Sequence, residues 1–277
     1  MERYKRRISL KHMVVATQVL EGRSAIVTGA ASGMGQAVGE AFAKAGARVV
    51  FADINADGAE AAAKRARLAG AEAFGIVLDV ADPESVQGCV NCAVDRFGAV
   101  DLLFNAAGLH HMKALLDITP ESFDRLWRVN VLGLFLMLQV CARQMIAQGS
   151  GGRIINVASI AGREGRASQL EYNATKAAVI NMTRSAALEL SEHRIGVNAI
   201  APGAIITGMW QQIRREVGEQ VMHLDAATFD HQIESTVPVK RLGVPADIVG
   251  AALLLASSAG EYIIGQTINV DGGLVMN

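Results

Sequence analysis

Short runs that are apolar throughout alternate along this chain with longer stretches that are apolar on one side only. The runs are Ser24–Thr28, Arg48–Ala52, Phe74–Leu78, Val100–Phe104, Arg153–Ala158, Ile195–Ala201 and Gln266–Val270. Between them lie segments of helical length, among them Gly35–Ala45, Ala56–Ala69, Glu84–Phe97, Pro120–Ala147 and Tyr172–Ser191. A strand without apolar–polar alternation is buried on both sides, which suits a parallel sheet covered on both faces. Alternating strands and helices predict a doubly wound α/β sheet. The one long irregular segment, about 204–240, is rich in Gln, His, Glu and Arg and reads as a lid or binding loop. Five prolines and the lack of a Ser/Gly-rich linker predict one domain, residues 20–277. Residues 1–19 stand apart, with five basic side chains against one acid in the first dozen. The apolar stretch that a secretory signal requires does not follow. A disordered extension is expected there, or an initiation codon assigned upstream of a true start at Met13.

Composition narrows the class. The chain has 277 residues, 51% hydrophobic and 19% charged, which excludes a disordered protein and suggests surface covered in an oligomer. A net charge of −1 offers no basic field to nucleic acid or anionic lipid. The longest strongly apolar stretch, Val131–Leu138, is far short of the roughly 20 residues that a membrane span requires, so no membrane partner is expected. Three cysteines make no disulfide framework and point to a reducing, cytoplasmic setting. Cys89-Val90-Asn91-Cys92 lies within a helical segment without a second pair, so the cysteines read as buried helix residues. No metal site is expected.

The first strand runs into Thr28-Gly29-Ala30-Ala31-Ser32-Gly33-Met34-Gly35, and a helix follows. Glycines at a strand-to-helix turn allow a tight bend and let a pyrophosphate approach the amides at the positive helix end. Their spacing departs from G-x-G-x-x-G, and a glycine-rich turn alone is weak evidence of a nucleotide. Here it opens a βαβ pattern, and Asp53 ends the second strand 18 residues beyond Gly35. An acid there is placed to bond a ribose 2′-hydroxyl and to repel a 2′-phosphate. With Ile54 rather than Arg beside it, the expected cofactor is NAD. Further on, Tyr172 and Lys176 are spaced i, i+4, on one helix face. A phenol is a poor base at neutral pH, and a nearby cation favours its ionised form. Ser159, 13 residues upstream of Tyr172, follows an apolar strand, at the end of the sheet where α/β folds bind ligands.

Taken in order, these elements resemble the short-chain dehydrogenase/reductase family over Leu20–Asn277. The turn Thr28–Gly35, Asp53, Asp79-Val80, Asn105-Ala106-Ala107-Gly108, Asn130, Ser159, Tyr172 with Lys176, Pro202-Gly203 with Thr207, and Val270-Asp271-Gly272-Gly273 carry the likeness. The family usually has two asparagines before Ala-Gly, whereas Asn105 here stands alone, which puts the side-chain bonds of that turn in question. The resemblance implies a seven-stranded parallel sheet of order 3-2-1-4-5-6-7. It implies that Tyr172 takes a proton from a substrate hydroxyl as hydride leaves its carbon for a nicotinamide. Lys176 would lower the Tyr172 pKa and bond the nicotinamide ribose, Ser159 would hold the substrate oxygen, and Asn130 would position a water. By the same carry-over Gly29, Ser32, Gly33, Met34, Gly35, Asp53, Asp79, Val80, Asn105, Ala106, Gly108, Tyr172, Lys176, Pro202, Gly203, Ile205 and Thr207 bind the cofactor. Asp79 and Val80 would contact the adenine, and Ile205 with Thr207 would anchor the carboxamide. Helices after the fourth and fifth strands pair subunits in the family, so a homotetramer is expected.

The motifs set the reaction and leave the substrate open. The loop after Ser159 and the lid offer Arg163, Glu164, Gln169, Gln211, Gln212 and His223, with His110 and His111 after the fourth strand. Several donors and acceptors suit a substrate with several hydroxyls, because each buried polar group left unpaired costs about 1–3 kcal/mol. Trp210 could stack on the carbon face of a sugar. Substrate contacts are therefore expected from Ser159, Tyr172, His110, Glu164, Gln169 and Trp210. The stretches Gly152–Ser159, Ala174–Ile180 and Tyr262–Thr267 resemble the family's bacterial sorbitol and galactitol dehydrogenases. The expected activity is NAD-dependent oxidation of a sugar-alcohol secondary hydroxyl to a ketose. A 3-oxoacyl-thioester reductase is the alternative, and a nucleotide-sensing or scaffolding protein with vestigial catalysis is a third reading.

Overall fold

All seven apolar runs form strands in the computed structural model of the chain, which describes residues 18–219 and 222–276. They are β1 (Ser24–Thr28), β2 (Arg48–Asp53), β3 (Ala73–Val77), β4 (Leu102–Asn105), β5 (Gly152–Val157), β6 (Ile195–Pro202) and β7 (Thr267–Val270). All pair in parallel, in the order β3-β2-β1-β4-β5-β6-β7. Along β1, β2, β4 and β5 successive residues point to opposite faces, as the strand period of two requires. Val27, Phe51, Phe104 and Ile155 belong to one apolar cluster, with Phe42, Ile248 and Leu255. Their chain neighbours Ile26, Val50, Leu103 and Ile154 belong to the other, with Val86, Met137, Cys141 and Met145. Each fully buried aliphatic or aromatic side chain contributes about 1.5–3 kcal/mol.

Helices α1 (Gly33–Lys44), α2 (Ala56–Leu68), α3 (Pro83–Phe97), α4 (Pro120–Trp127), α5 (Leu134–Gln148) and α6 (Leu170–Leu190) start and stop close to their sequence signals. Asp82 caps α3 by accepting from the Glu84 amide at 3.1 Å, ahead of Pro83, and Gly98 ends it with φ +79°. A π-turn, Arg128–Gly133, joins α4 to α5, so that Pro120–Gln148 is one 29-residue helix. By length and composition alone that helix is long and apolar enough to cross a bilayer, a test that a core helix also passes. Its apolar character has a local cause: Met137, Leu138, Cys141, Ala142 and Met145 are buried against the sheet.

Two parts of the sequence reading change. Helix α9 (Pro245–Ala256), not among the segments singled out, packs on the same face as α1. The segment expected to be irregular holds α7 (Gly208–Ile213), a π-turn at Arg214–Glu219 and α8 (Ala226–Thr236). Trp210, Phe229 and Leu242, with Ile213, Val217 and Ile233, give this lid an apolar cluster separate from those of the sheet. Spacings of three and four residues among these positions carry the helical pattern, diluted by the polar residues between them. Of the expected N-terminal extension, residues 1–17 lie outside the described residues. Gln18 and Val19 belong to a turn, after which Leu20 is buried and donates its amide to the Ala45 carbonyl at 2.9 Å.

Candidate active site

The first strand delivers the chain to the carboxyl edge of the sheet, where the order reverses between β1 and β4 and a crevice opens. Gly29 and Gly33 sit at φ +65° and +59°, backbone that only glycine adopts readily. A Cβ on Gly35 would come within 2.2 Å of the Gly29 carbonyl oxygen, and one on Gly29 within 2.9 Å of the Ala107 amide. Ser32 stands at the N-cap of α1 without a side-chain cap bond, and the first turn carries no acid. The positive helix end and its amides are thus left to whatever fills the groove in front of them. That groove encloses about 770 Å³ and is lined by Gly29, Ser32–Gly35, Asp53, Asp79, Val80, Ala106, Gly108 and Thr207. Such a cradle fits the pyrophosphate of a dinucleotide. Gly35→Ala should cost about 2–4 kcal/mol of stability and weaken dinucleotide binding, read by denaturant midpoint and fluorescence titration. An unchanged midpoint would show that the turn yields freely.

At the groove's rim the Asp53 carboxylate accepts from the Ala31 amide at 3.0 Å and the Asn55 amide at 2.9 Å, closing the turn it faces. Asp79 caps the next loop through the Ala81 amide, at 2.9 Å. Val80 forms a wall because Gly133 leaves room for it; a Cβ there would lie 2.6 Å from the valine methyl. Asn105 is buried behind the groove rather than on it. Its side chain donates to the Leu134 carbonyl at 3.0 Å and accepts from the Thr28 hydroxyl at 3.3 Å. Thr28 Oγ1 in turn accepts from the Ala106 and Ala107 amides at 3.0 and 3.1 Å. The single asparagine of this turn is therefore compensated by the threonine that ends β1. Pro202, Gly203 and Ile205, at and beyond the end of β6, line a second cavity, while Met34 and Thr207 border both. Thr207 caps α7 by accepting from the Trp210 amide at 3.3 Å.

Ser159, Tyr172 and Lys176 meet in this second cavity, which encloses about 500 Å³ beside the groove. Ser159 follows β5 in extended backbone and accepts from the Ala161 amide at 3.1 Å. Tyr172 and Lys176, both buried, lie one turn apart on α6. The Lys176 ammonium donates to the Val157 carbonyl at 2.8 Å and stands 5.8 Å from the centre of the Tyr172 ring. Burial pushes the phenol up to about 12, with the Ser159 hydroxyl acting in the opposite direction. Burial also draws Lys176 down to about 8. Desolvation thus dominates the phenol, while the ammonium is directed at a carbonyl. Asn130, in the π-turn, accepts from the Leu109 amide at 2.8 Å and donates to the Leu109 carbonyl at 2.9 Å and to Thr175 Oγ1 at 3.3 Å. Gly108 permits the convergence: a Cβ there would lie 3.3 Å from Asn130 Oδ1 and 3.8 Å from Lys176 Nζ.

His110 lines both cavities, edge-on to Tyr172 with ring centres 4.5 Å apart. Burial draws its imidazole down to about 4, assisted by His111 and Lys176, so it is neutral at physiological pH. Gln169 and Trp210 line the second cavity, the indole donating to Asp230 at 3.0 Å. Glu164 does not line it; its carboxylate lies 3.5 Å from Arg166, both partly exposed. Arg163 donates to the Thr267 carbonyl at 2.7 Å, Gln212 faces the groove, and Gln211 and His223 line neither cavity. The expected polar wall is corrected accordingly. Met112, Ile213, Val217, Phe229, Ile233 and Leu274 make the far side apolar, and Arg166 joins the polar side. The lid's apolar residues at helical spacing were the available signal. Cys89 is buried, its thiol pushed up to about 12 by desolvation, which suits a packing residue. Among the described residues no group of His, Cys, Asp and Glu is arranged to hold a metal ion.

A family profile described as enoyl-(acyl carrier protein) reductase matches residues 29–275. The chain is 44% identical over 254 residues to a sorbitol dehydrogenase of Cereibacter sphaeroides, covering 92% of this chain and 98% of that one. It is 40% identical to a galactitol 2-dehydrogenase of Agrobacterium fabrum, with the same coverage. A 3-oxoacyl-(acyl-carrier-protein) reductase of Thermotoga maritima is 35% identical over 257 residues, 93% of this chain and 99% of that one. Among solved structures, a short-chain type dehydrogenase/reductase from Mycobacterium marinum superposes with a TM-score of 0.85 at 34% identity, covering 93% of this chain and 97% of that one.

Proposed function

This chain belongs to the short-chain dehydrogenase/reductase family, whose members act with nicotinamide cofactors, and on that premise we propose that it is an NAD-dependent dehydrogenase oxidising a secondary hydroxyl of a sugar alcohol to a ketose. The observation that carries this reading is the convergence of Ser159, Tyr172 and Lys176 in a cavity that opens onto a glycine-lined groove with Asp53 at its rim. NAD fits that groove. Held by Gly29, Ser32–Gly35, Asp53, Asp79, Val80 and Thr207, it would supply the acceptor for the hydride that leaves the carbinol carbon. Tyr172 takes the hydroxyl proton at its phenol oxygen, and Ser159 holds the alcohol oxygen. Lys176, charged below pH about 8, places a cation near the phenol and favours its ionised form. Asn130 uses both N–H donors and one lone pair within the protein, which leaves one acceptor site for a water. His110 and Gln169 offer polar contacts for hydroxyls beside the reacting one.

The test is NADH formation, followed at 340 nm, with sorbitol, galactitol, xylitol, 3-hydroxybutyrate and a 3-hydroxyacyl thioester. Turnover of a hexitol with NAD supports the proposal. Turnover of the thioester alone supports a second reading, a reductase or dehydrogenase for a substrate with a hydrocarbon arm, which the apolar lid side of the cavity favours. Binding of NAD without turnover of any member would indicate lost catalysis.

The proposal extends to a homotetramer in the cytoplasm. Leu132 and Phe135 on the long helix are 38% and 39% exposed, beside a groove of about 400 Å³ lined also by Trp127, Val131 and Met182. Burying such a patch in a symmetric contact removes apolar surface from water. Light scattering should give four times the chain mass, and Phe135→Asp should lower it; a monomeric wild type would overturn this part.

A further inference from the structure

Glu171, immediately before the catalytic tyrosine, is 1% exposed. A carboxylate so buried is costly unless something compensates it. Neither carboxylate oxygen makes a hydrogen bond to another group of the protein. Among the described residues its ion-pair contact is with the His111 imidazole, whose Nε2 lies against Oε1. His111 is the chain neighbour of His110, and the whole segment is tied down. The His110 carbonyl accepts from Gln212 of the lid at 3.4 Å. Gln169 reaches the Met112 sulfur at 3.7 Å, and the Lys113 amide donates to the Ser168 carbonyl at 2.9 Å. Four successive residues, 110–113, are therefore fastened to α7, to α6 or to the two residues that lead into α6, and the contact at 111 reaches the buried Glu171. Held this way, the His110 ring stands edge-on to Tyr172, and its Nδ1, buried, has no protein partner. A buried donor or acceptor left open in a substrate cavity is a group that a substrate completes.

We propose that Glu171 is a positioning residue: through His111 it sets the His110 imidazole against Tyr172, and so fixes where Nδ1 meets a polar group of the alcohol next to the carbinol being oxidised. The inference rests on the dehydrogenase reading for its substrate consequence, though not for its structural one. Glu171 touches neither substrate nor groove, so its influence falls on alcohol binding. The dinucleotide, held on the far side of the site by the glycine turn and Asp53, is left alone.

The test uses Glu171→Leu, which fills the space without a partner for His111, and Glu171→Gln, which keeps an acceptor oxygen. In Glu171→Leu the KM for the alcohol should rise about tenfold, with kcat changed by less than about threefold and the NAD dissociation constant by less than about twofold. Glu171→Gln should recover most of the lost KM. The double variant Glu171→Leu/His111→Leu should be no worse than Glu171→Leu alone, because the pair acts as one unit. That double variant also guards against His111→Leu failing to fold around a bare carboxylate. A second readout needs no substrate. His110 should resist diethyl pyrocarbonate in the wild type and react about tenfold faster in Glu171→Leu, with the exposed His193 unchanged as a control. Unaltered protection of His110 in Glu171→Leu would overturn the proposal, as would parallel losses in kcat and NAD binding. Silence of the wild type on every alcohol would remove the sugar-alcohol reading and leave the His110 protection to decide the positioning role.

Discussion

Replacing Tyr172 by Phe should lower kcat by about a thousandfold while leaving NAD affinity within about threefold. The ring is buried, packs edge-on against His110 and lies in the Leu126–Ala161 cluster, contacts that phenylalanine retains. What disappears is the one oxygen that can receive the proton. The pH dependence follows from the same environment. Burial pushes the phenol up to about 12, so at neutral pH the protonated form predominates before substrate and cofactor bind. Oxidation requires the ionised form and should speed up as pH rises, through the range in which Lys176, near 8, still holds much of its charge. Reduction of the ketone requires the protonated phenol and should not share that rise. Initial rates in both directions from pH 6 to 10 check the sign; a flat oxidation profile, or near-wild-type rates in Tyr172→Phe, would show that another group moves the proton.

Cofactor choice should be the second large effect. Asp53→Ala combined with Ile54→Arg should shift the ratio of kcat/KM for NAD over NADP by about a hundredfold, equivalent to about 2.7 kcal/mol. The carboxylate removed is the group that would repel a 2′-phosphate. Ile54 is 70% exposed, so arginine enters without a burial cost and adds a cation. Asp53 also accepts from the Ala31 and Asn55 amides, so Asp53→Ala alone should loosen the turn and weaken both cofactors. The ratio, rather than either affinity, is therefore the measurement. An unchanged ratio would mean that Asp53 supports the turn and does not select the ribose.

The approximate strands and the shared helix face of Tyr172 and Lys176 were legible because each depends on local pattern, whereas the sheet order and the joining of Ser159 to that pair came from the family resemblance. Apolar runs specify buried parallel strands, and the i, i+4 spacing puts phenol and ammonium on one helix face. Three things were not legible. The lid's helices were masked by Gln, Arg and Glu lying between Trp210, Ile213 and Val217, so that composition obscured a period of three to four. Glu164 and Arg163 sit in the loop after Ser159, but spacing does not give their direction: Glu164 turns to Arg166, and Arg163 to Thr267, 104 residues on. The state of Tyr172 could not be foreseen from its spacing to Lys176, because burial dominates it, and burial is not a property of the helix alone. Asn105 lay between these cases: its place at the end of β4 was clear, and its use as an internal tie behind the groove required the Thr28 hydroxyl.

The π-turn at Arg128–Gly133 sets the phase between two halves of a helix. An α-helix turns about 100° per residue, and a π-turn holds one residue more than the regular spiral would. Upstream of it Leu126 faces the tyrosine; downstream Met137, Cys141 and Met145 face the sheet. Deleting a single residue from the regular helix on either side of the turn would swing one half by about 100°, taking either the core stripe or Asn130 out of alignment. The helix therefore serves two masters with different angular demands, and the irregular turn is the vernier that reconciles them. Point substitutions on either half can be tolerated one at a time, whereas a change of length here disturbs the packed core and the reacting centre together.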